Sequence, residues 1–140
     1  MAIYKTTLAT ALTKAAPTVG GQASTVYADV ALTTALLIND TIQMIPIPTG
    51  ARVLEWQLGA DDLDTNGTPT ITLSLGDTGS AARYVSASTI AQTGAAPVNA
   101  SLKTGFGNLY TADDMLTITV AAAPATWAAG TVRAMVRYII

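Results

Sequence analysis

The sequence contains neither cysteine nor histidine. Without cysteine, the chain can form no disulfide bond, no thiolate metal site and no thiol nucleophile. Without histidine, it lacks the commonest general base and the commonest transition-metal ligand. Most of the usual catalytic and metal-binding chemistry is therefore missing. We predict that the protein is not an enzyme, has no catalytic residues and needs no cofactor.

Charged and aromatic residues are also few, at 11% and 6% of the 140 residues, and the formal net charge is only −2. A core with so few aromatics must consist mainly of aliphatic side chains, and a sparsely charged surface suits a protein that packs against others. The few cations form no basic patch, so we predict no nucleic-acid partner. Since no window approaches the ~20 apolar residues of a membrane span, we also predict no membrane partner.

The residues that are present alternate between apolar and polar in several short segments, which is typical of half-buried β-strands. Residues 41–58 read as a strand, a turn and a second strand, forming a hairpin-like pair. The second strand of this pair is predicted to bury Leu54, Trp56 and Leu58 and to point Val53 to the opposite face.

Further strands are predicted on the same pattern, at residues 25–32, 70–75, 83–87, 98–102, 115–120 and 131–140. Regular turn signals separate these segments, and no amphipathic helix interrupts them. We therefore predict an all-β fold, a single antiparallel β-sandwich over residues 25–140. A jelly roll is the preferred arrangement, with an immunoglobulin-like sandwich as the alternative.

Residues 1–24 are predicted to be an extended N-terminal arm. Leu8 and Leu12 are spaced for one helical turn, but the surrounding threonines disfavour a helix. Two interpretations stay open: a disordered terminus, or an arm that becomes ordered on a neighbouring subunit. Residues 88–110, which include Phe106 and Tyr110, are the most irregular stretch and are a second candidate for a subunit contact.

One loop has the spacing of calcium ligands. Counted from Asp62, it reads D-x-D-x-N-G, so that Asp62, Asp64 and Asn66 resemble the first half of an EF-hand loop. The twelfth position, however, is Leu73 instead of a bidentate glutamate. The alternative is a hairpin loop in which Asn66-Gly67 provides the turn.

Three further residues are candidates for an interface. Arg133 and Arg137 share one face of the last predicted strand, where they either pair with carboxylates of a neighbouring subunit or remain solvated. Trp127 lies in a loop of proline, alanine and glycine. It is therefore predicted to be more exposed than Trp56, facing either a protein partner or a sugar.

Three runs of the sequence resemble small proteins of tailed-bacteriophage structural modules. They read NDTIQMIPIPTGARVLEWQL, DDLDTNGTPTITLSLGD and YTADDMLTITVAAAPATWAAGTVRAMVRYI. The resemblance covers about residues 38–138. It implies a capsid decoration (cement) protein, which forms homotrimers on the outside of the virion and clamps neighbouring subunits of the major capsid protein after the shell expands. Such a protein is made in the host cytoplasm. A head-fibre or minor tail component, or a carbohydrate-binding module, is the alternative.

Overall fold

The computed structural model describes residues 1–12, 22–94 and 103–140. Within these ranges two β-sheets share one hydrophobic core, which confirms the predicted all-β sandwich. The strands are β1 (Ile3–Lys5), β2 (Ser24–Leu32), β3 (Thr41–Ile47), β4 (Arg52–Ala60), β5 (Thr72–Gly76), β6 (Val85–Ser88), β7 (Asp114–Ala122) and β8 (Gly130–Ile139). A short helix, α1 (Thr7–Ala11), precedes β2, and single 3-10 turns occupy Ile90–Gln92 and Lys103–Gly105.

The five-stranded sheet has the order β1-β3-β7-β5-β6, and the three-stranded sheet has the order β2-β8-β4. All pairings are antiparallel except that of β1 with β3, which is parallel. Residues 107–110 extend the three-stranded sheet by pairing with the outer edge of β4. There the N–H of Val53 donates to the carbonyl of Asn108 (3.0 Å), and the N–H of Tyr110 donates to the carbonyl of Ala51 (2.9 Å). Residues 107–110 form only a short ladder and are not one of the eight strands of the described residues. The jelly-roll arrangement therefore stays a prediction.

The predicted alternation correctly identifies the inward face of most strands. The buried hydrophobic residues supplied by β5, β7 and β8 are Leu73, Leu75, Leu116, Ile118, Val120, Val132, Ala134, Val136 and Tyr138. Trp56 is also in the core, as predicted. Burying one aliphatic side chain of this size contributes about 1.5–3 kcal/mol, so the shared core is the main source of stability.

The predicted hairpin over residues 41–58 is wrong. β3 pairs with β1 and β7 in the five-stranded sheet, whereas β4 pairs with β8 in the three-stranded sheet. The turn between them crosses from one sheet to the other, and Gly50 makes this possible with a φ of +83° that L side chains rarely adopt. Local alternation indicates that both segments are strands but does not indicate which strands pair.

The predicted faces of β4 are wrong at its start. The pairing with β8 shifts between Val53 and Glu55, which marks a β-bulge. The extra residue turns Val53 into the core together with Trp56, and leaves Leu54 40% exposed. The end of β8 differs as well, because Ile140 follows the last paired residue and is 48% exposed.

Part of the predicted arm belongs to the sandwich. β1 pairs with β3, and the N–H of Ala2 donates to the buried carboxylate of Asp40 (2.7 Å). Thr6 caps α1, since its hydroxyl accepts a hydrogen bond from the N–H of Ala9 (3.0 Å) and donates to the carbonyl of Met44. Residues 3–11 are therefore neither disordered nor extended away from the domain.

Two other predictions concern residues outside the described ranges. They are the remainder of the arm at residues 13–21 and the strand predicted at residues 98–102. The predicted boundary between residues 24 and 25 stays a prediction.

Candidate interaction surface

Several exposed apolar residues lie on or next to the segments where residues 107–110 pair with β4. Arg52 lies opposite Ile139 of β8 on one side and opposite Leu109 on the other. We define the β4-edge patch as Arg52 together with the exposed hydrophobic residues at or next to this row, which are Leu54, Phe106, Leu109 and Ile140. A group of apolar side chains at a sheet edge, around a cation, has the composition of a protein-binding surface.

Phe106 is the most exposed member of the patch, at 62% of its surface. Its ring meets the buried ring of Trp56 edge-on, with the centroids 5.4 Å apart. The preceding residue, Gly105, lies directly against the aromatic core. A Cβ at position 105 would stand 2.5 Å from Cδ1 of Tyr84 and 2.9 Å from Cη2 of Trp56, so only glycine fits without a shift. This close packing of Gly105 fixes the position at which the Phe106 side chain leaves the core.

A chain of buried hydroxyl groups supports this end of the molecule. The phenol of Tyr110 donates to Oδ2 of Asp77 (2.8 Å) and lies 2.5 Å from the phenol of Tyr84. Since the Tyr110 proton is directed to Asp77, Tyr84 is the donor between the two phenols. The side-chain amide of Asn108 donates in turn to Tyr84 (3.4 Å), and the indole N–H of Trp56 donates to the Tyr84 carbonyl (3.0 Å).

Asp77 is the anionic end of this network and is buried. Burial raises the pKa of its carboxyl, but hydrogen bonds from Arg83, Tyr110 and the backbone N–H of Ser80 outweigh it and leave the pKa below its usual value. Burial, with the neighbouring phenol and carboxylate, raises the pKa of Tyr110 far above its usual value. Both tyrosines therefore stay neutral hydrogen-bond donors, and the ion pair stays charged.

Arg52 differs from the other three arginines, all of which lie in the described residues. Arg83, Arg133 and Arg137 each face a carboxylate of this chain. Arg52 has no carboxylate partner among the described residues, and its guanidinium donates to the carbonyl of Gly107 (2.9 Å). This bond holds the cation beside Phe106, the residue before Gly107.

The carboxylate partners of Arg133 and Arg137 lie within the same chain. Nη1 of Arg133 is 2.8 Å from Oδ1 of Asp61, and Nη1 of Arg137 is 3.8 Å from Oε2 of Glu55. The hydrogen bond from Arg133, with one from the N–H of Thr131, lowers the pKa of Asp61. The predicted pairing with a neighbouring subunit is therefore not required, and such exposed pairs contribute only about 0–1 kcal/mol each.

The candidate calcium loop is organised by one buried carboxylate, that of Asp64. The backbone N–H groups that donate to it belong to Asn66, Thr70, Ile71, Ala125 and Thr126. Asp62 accepts from the N–H of Asp64 (3.0 Å), and Asn66 accepts from that of Thr68 (2.9 Å). These carboxylate and amide oxygens face N–H groups, whose positive ends repel a cation. Gly67 is not among the residues with positive φ, so the loop does not use the expected Asn-Gly turn either.

The electrostatics of Asp64 follow from these donors. Burial raises the pKa of its carboxyl, but the N–H groups of Thr126, Thr70, Ala125 and Ile71 hold the pKa far below its usual value. Among the described residues no group of three or more acidic side chains is arranged to hold a metal ion. The carboxylate instead joins the loop after β4 to the loop after β7.

The remaining interface candidates separate into exposed and buried side chains. Leu12, with a φ of +51°, is 65% exposed, whereas Leu8 is half-buried against the core. Tyr110 is buried in the hydroxyl network and is not available to a partner. Trp127 is half-buried, packs against the core and pairs through its backbone with Asp64, so only part of its side chain is available to a partner or a sugar.

The sequence interpretation missed Arg52, Leu54 and Leu109. The exposure of Leu54 depends on the bulge, and the isolation of Arg52 is visible only when the partners of the other arginines are known. No local sequence signal identifies either feature.

Comparison with solved structures identifies the class of protein. The chain is 43% identical to a chain of the capsid asymmetric unit of cyanophage Pam1, covering 89% of this chain and 90% of that one, with a TM-score of 0.73. It is 29% identical to a chain of the capsid of Ralstonia phage GP4, covering 99% of this chain and 97% of that one, with a TM-score of 0.89. The protein belongs to the family of the Pam1 chain and is a phage capsid-related structural protein.

No protein-family model matches the sequence, and no curated protein matches it. No helix among the described residues is long and apolar enough to cross a membrane.

Proposed function

We propose that this protein is a capsid decoration protein, which binds the outside of a phage shell and stabilises it by contacting neighbouring subunits of the major capsid protein. The observation that carries the proposal is the 43% identity, over 89% of the chain, to a chain of the Pam1 capsid. The protein is made in the host cytoplasm and is then located on the virion surface.

The physical basis of this function is linkage. A protein that binds the assembled shell, and not its dissociated subunits, lowers the free energy of the assembled state by an amount that grows with its concentration. A homotrimer would present three equivalent contacts to the shell, and the high effective concentration after the first contact would strengthen the others. The rigid aliphatic core and the exposed β4-edge patch support such a role, since both suit a protein that acts through contact alone.

The experiment is co-sedimentation of the purified protein with shells of the major capsid protein encoded in the same genome. We expect saturable binding to assembled shells and none to unassembled subunits at the same concentration. Light scattering of the free protein measures the oligomeric state, for which we expect a trimer. Failure of the protein to sediment with assembled shells at any concentration would contradict the proposal.

A further inference from the structure

We propose that the β4-edge patch is the surface that contacts the shell, with Phe106 and Arg52 as its two anchors. The proposal rests on the proposed function and assigns it to particular residues. The partner surface must offer an apolar depression for the Phe106 ring and a carboxylate for the Arg52 guanidinium.

The first argument is the unmatched charge of Arg52. The other three arginines face carboxylates of their own chain, but Arg52 has only the carbonyl of Gly107 among the described residues. Along the sheet it lies between the exposed Leu109 and the half-buried Ile139, so a partner covering the patch would also cover the cation. Burying that guanidinium without a carboxylate would be costly, and the partner is therefore expected to supply one.

The second argument is the fixed position of Phe106. Gly105 packs against Tyr84 and Trp56, and the Phe106 ring meets Trp56 edge-on at 5.4 Å. A rigidly held, exposed aromatic ring loses little conformational freedom when a partner binds. Aromatic residues and arginine at the centre of an interface are also the side chains that most often dominate binding energy.

Charge also decides against a two-fold pairing of this patch with the same patch of a second copy. In such an interface both copies contribute the same surface, so residues near the symmetry axis lie close to the same residues of the other copy. The patch contains the cation Arg52 and no acidic side chain, and Glu55, the acidic residue of β4, already faces Arg137 at 3.8 Å. Two copies paired through this patch would therefore bring two guanidinium groups together. A three-fold contact would set the patch against a different surface of a neighbouring copy, and the oligomeric mass in the test below distinguishes that case. We assign the surface to the shell because the proposed function requires a shell contact.

The test measures shell binding of matched pairs of variants by co-sedimentation. Phe106→Ala is compared with Tyr27→Ala, because Tyr27 is a similarly exposed aromatic residue (54%) on β2. Arg52→Gln is compared with Arg137→Gln, because Arg137 is an exposed arginine on the neighbouring β8. We expect the dissociation constant to rise about tenfold or more for each patch variant and to change less than about twofold for each control.

Three outcomes would overturn the proposal. If the wild-type protein binds shells but both patch variants bind like their controls, the assignment of the surface is wrong and the proposed function remains. If the patch variants lose binding together with the native oligomeric mass, the occupant is a second copy. If the wild-type protein does not bind shells, the proposed function fails and this inference fails with it. Circular dichroism checks that each variant is folded. If Phe106→Ala does not fold, the test uses Phe106→Leu and Arg52→Gln instead.

Discussion

Two buried carboxylates lie beyond opposite ends of β4, and they are stabilised in different ways. Asp64 follows the strand and is held by backbone N–H groups alone. Asp77 lies at the other end, where the backbone N–H groups of Gly79 and Ser80 donate to one carboxylate oxygen. The guanidinium of Arg83 and the phenol of Tyr110 donate to the other oxygen. Both arrangements keep the carboxylate charged, but only the second continues through side chains toward Phe106.

The difference indicates a division of roles. Backbone donors fix the path of the chain itself, so the hydrogen bonds of Asp64 hold two loops together. Side-chain donors fix other side chains, and the Asp77 network continues through Tyr110, Tyr84 and Trp56 to Phe106. We infer that the Asp64 end maintains the fold and that the Asp77 end positions the binding surface.

The largest effect is expected from Asp64→Ala. The substitution removes the acceptor of one buried and several partly buried N–H groups, and each lost bond to a charged group costs about 1.5–3 kcal/mol. Allowing for water entering the loop, we expect the free energy of unfolding to fall by at least about 3 kcal/mol. Chemical denaturation measures this change, and a loss below about 1 kcal/mol would contradict the structural role of Asp64.

Acid is expected to have the next largest effect. Both carboxyls have folded-state pKa values below the unfolded value, so their contribution to stability is complete above about pH 4 and is lost as the pH falls through the folded pKa values. Denaturation midpoints measured between about pH 7 and about pH 2 should therefore decrease at the acid end. The decrease should be smaller in Asp64→Ala, and an equal decrease in that variant would show that Asp64 does not contribute.

Gly105→Ala tests the packing that holds Phe106. Its Cβ would overlap the rings of Tyr84 and Trp56, and such overpacking typically costs about 1–3 kcal/mol. Gly67→Ala is the matched control, since a Cβ there meets nothing within 4 Å, and its effect should stay within about 0.5 kcal/mol. Equal unfolding free energies for the two variants would contradict the close approach at Gly105.

Tyr110→Phe is expected to have the smallest effect of the four. It removes the hydroxyl between Tyr84 and Asp77 but keeps the ring in the core, so we expect a loss of about 1–2 kcal/mol. Shell binding should weaken as well, because the support of Phe106 is loosened. Wild-type unfolding free energy together with wild-type shell affinity would show that the network is not needed at this end.

Local features of the fold were predictable from the sequence, and non-local ones were not. The alternation in residues 115–120 and 131–140 depends on which side of each strand is buried, and the burial of Leu116 and Val136 agrees with it. The assignment of β3 and β4 to different sheets depends on distant partners, β7 and β8, which the alternation does not specify. The bulge in β4 likewise has no local sequence signal.

The candidate site was predicted only in part. Phe106 was found because it lies in an irregular stretch, and its exposure agrees with that interpretation. Asp64 was recognised as special, but its spacing suggested a cation whereas its neighbours are N–H donors. Those donors include Ala125 and Thr126, about sixty residues away in the sequence, so no local motif could reveal them.

The most direct test of the central claim is the thermal stability of purified shells at increasing concentrations of this protein. If the protein is a decoration protein, the melting temperature of the shell should rise with its concentration and level off only slowly once the sites are filled, as linkage requires. The β4-edge variants Phe106→Ala and Arg52→Gln should need higher concentrations for the same rise. An unchanged melting temperature at full occupancy would contradict the claim that the protein stabilises the shell.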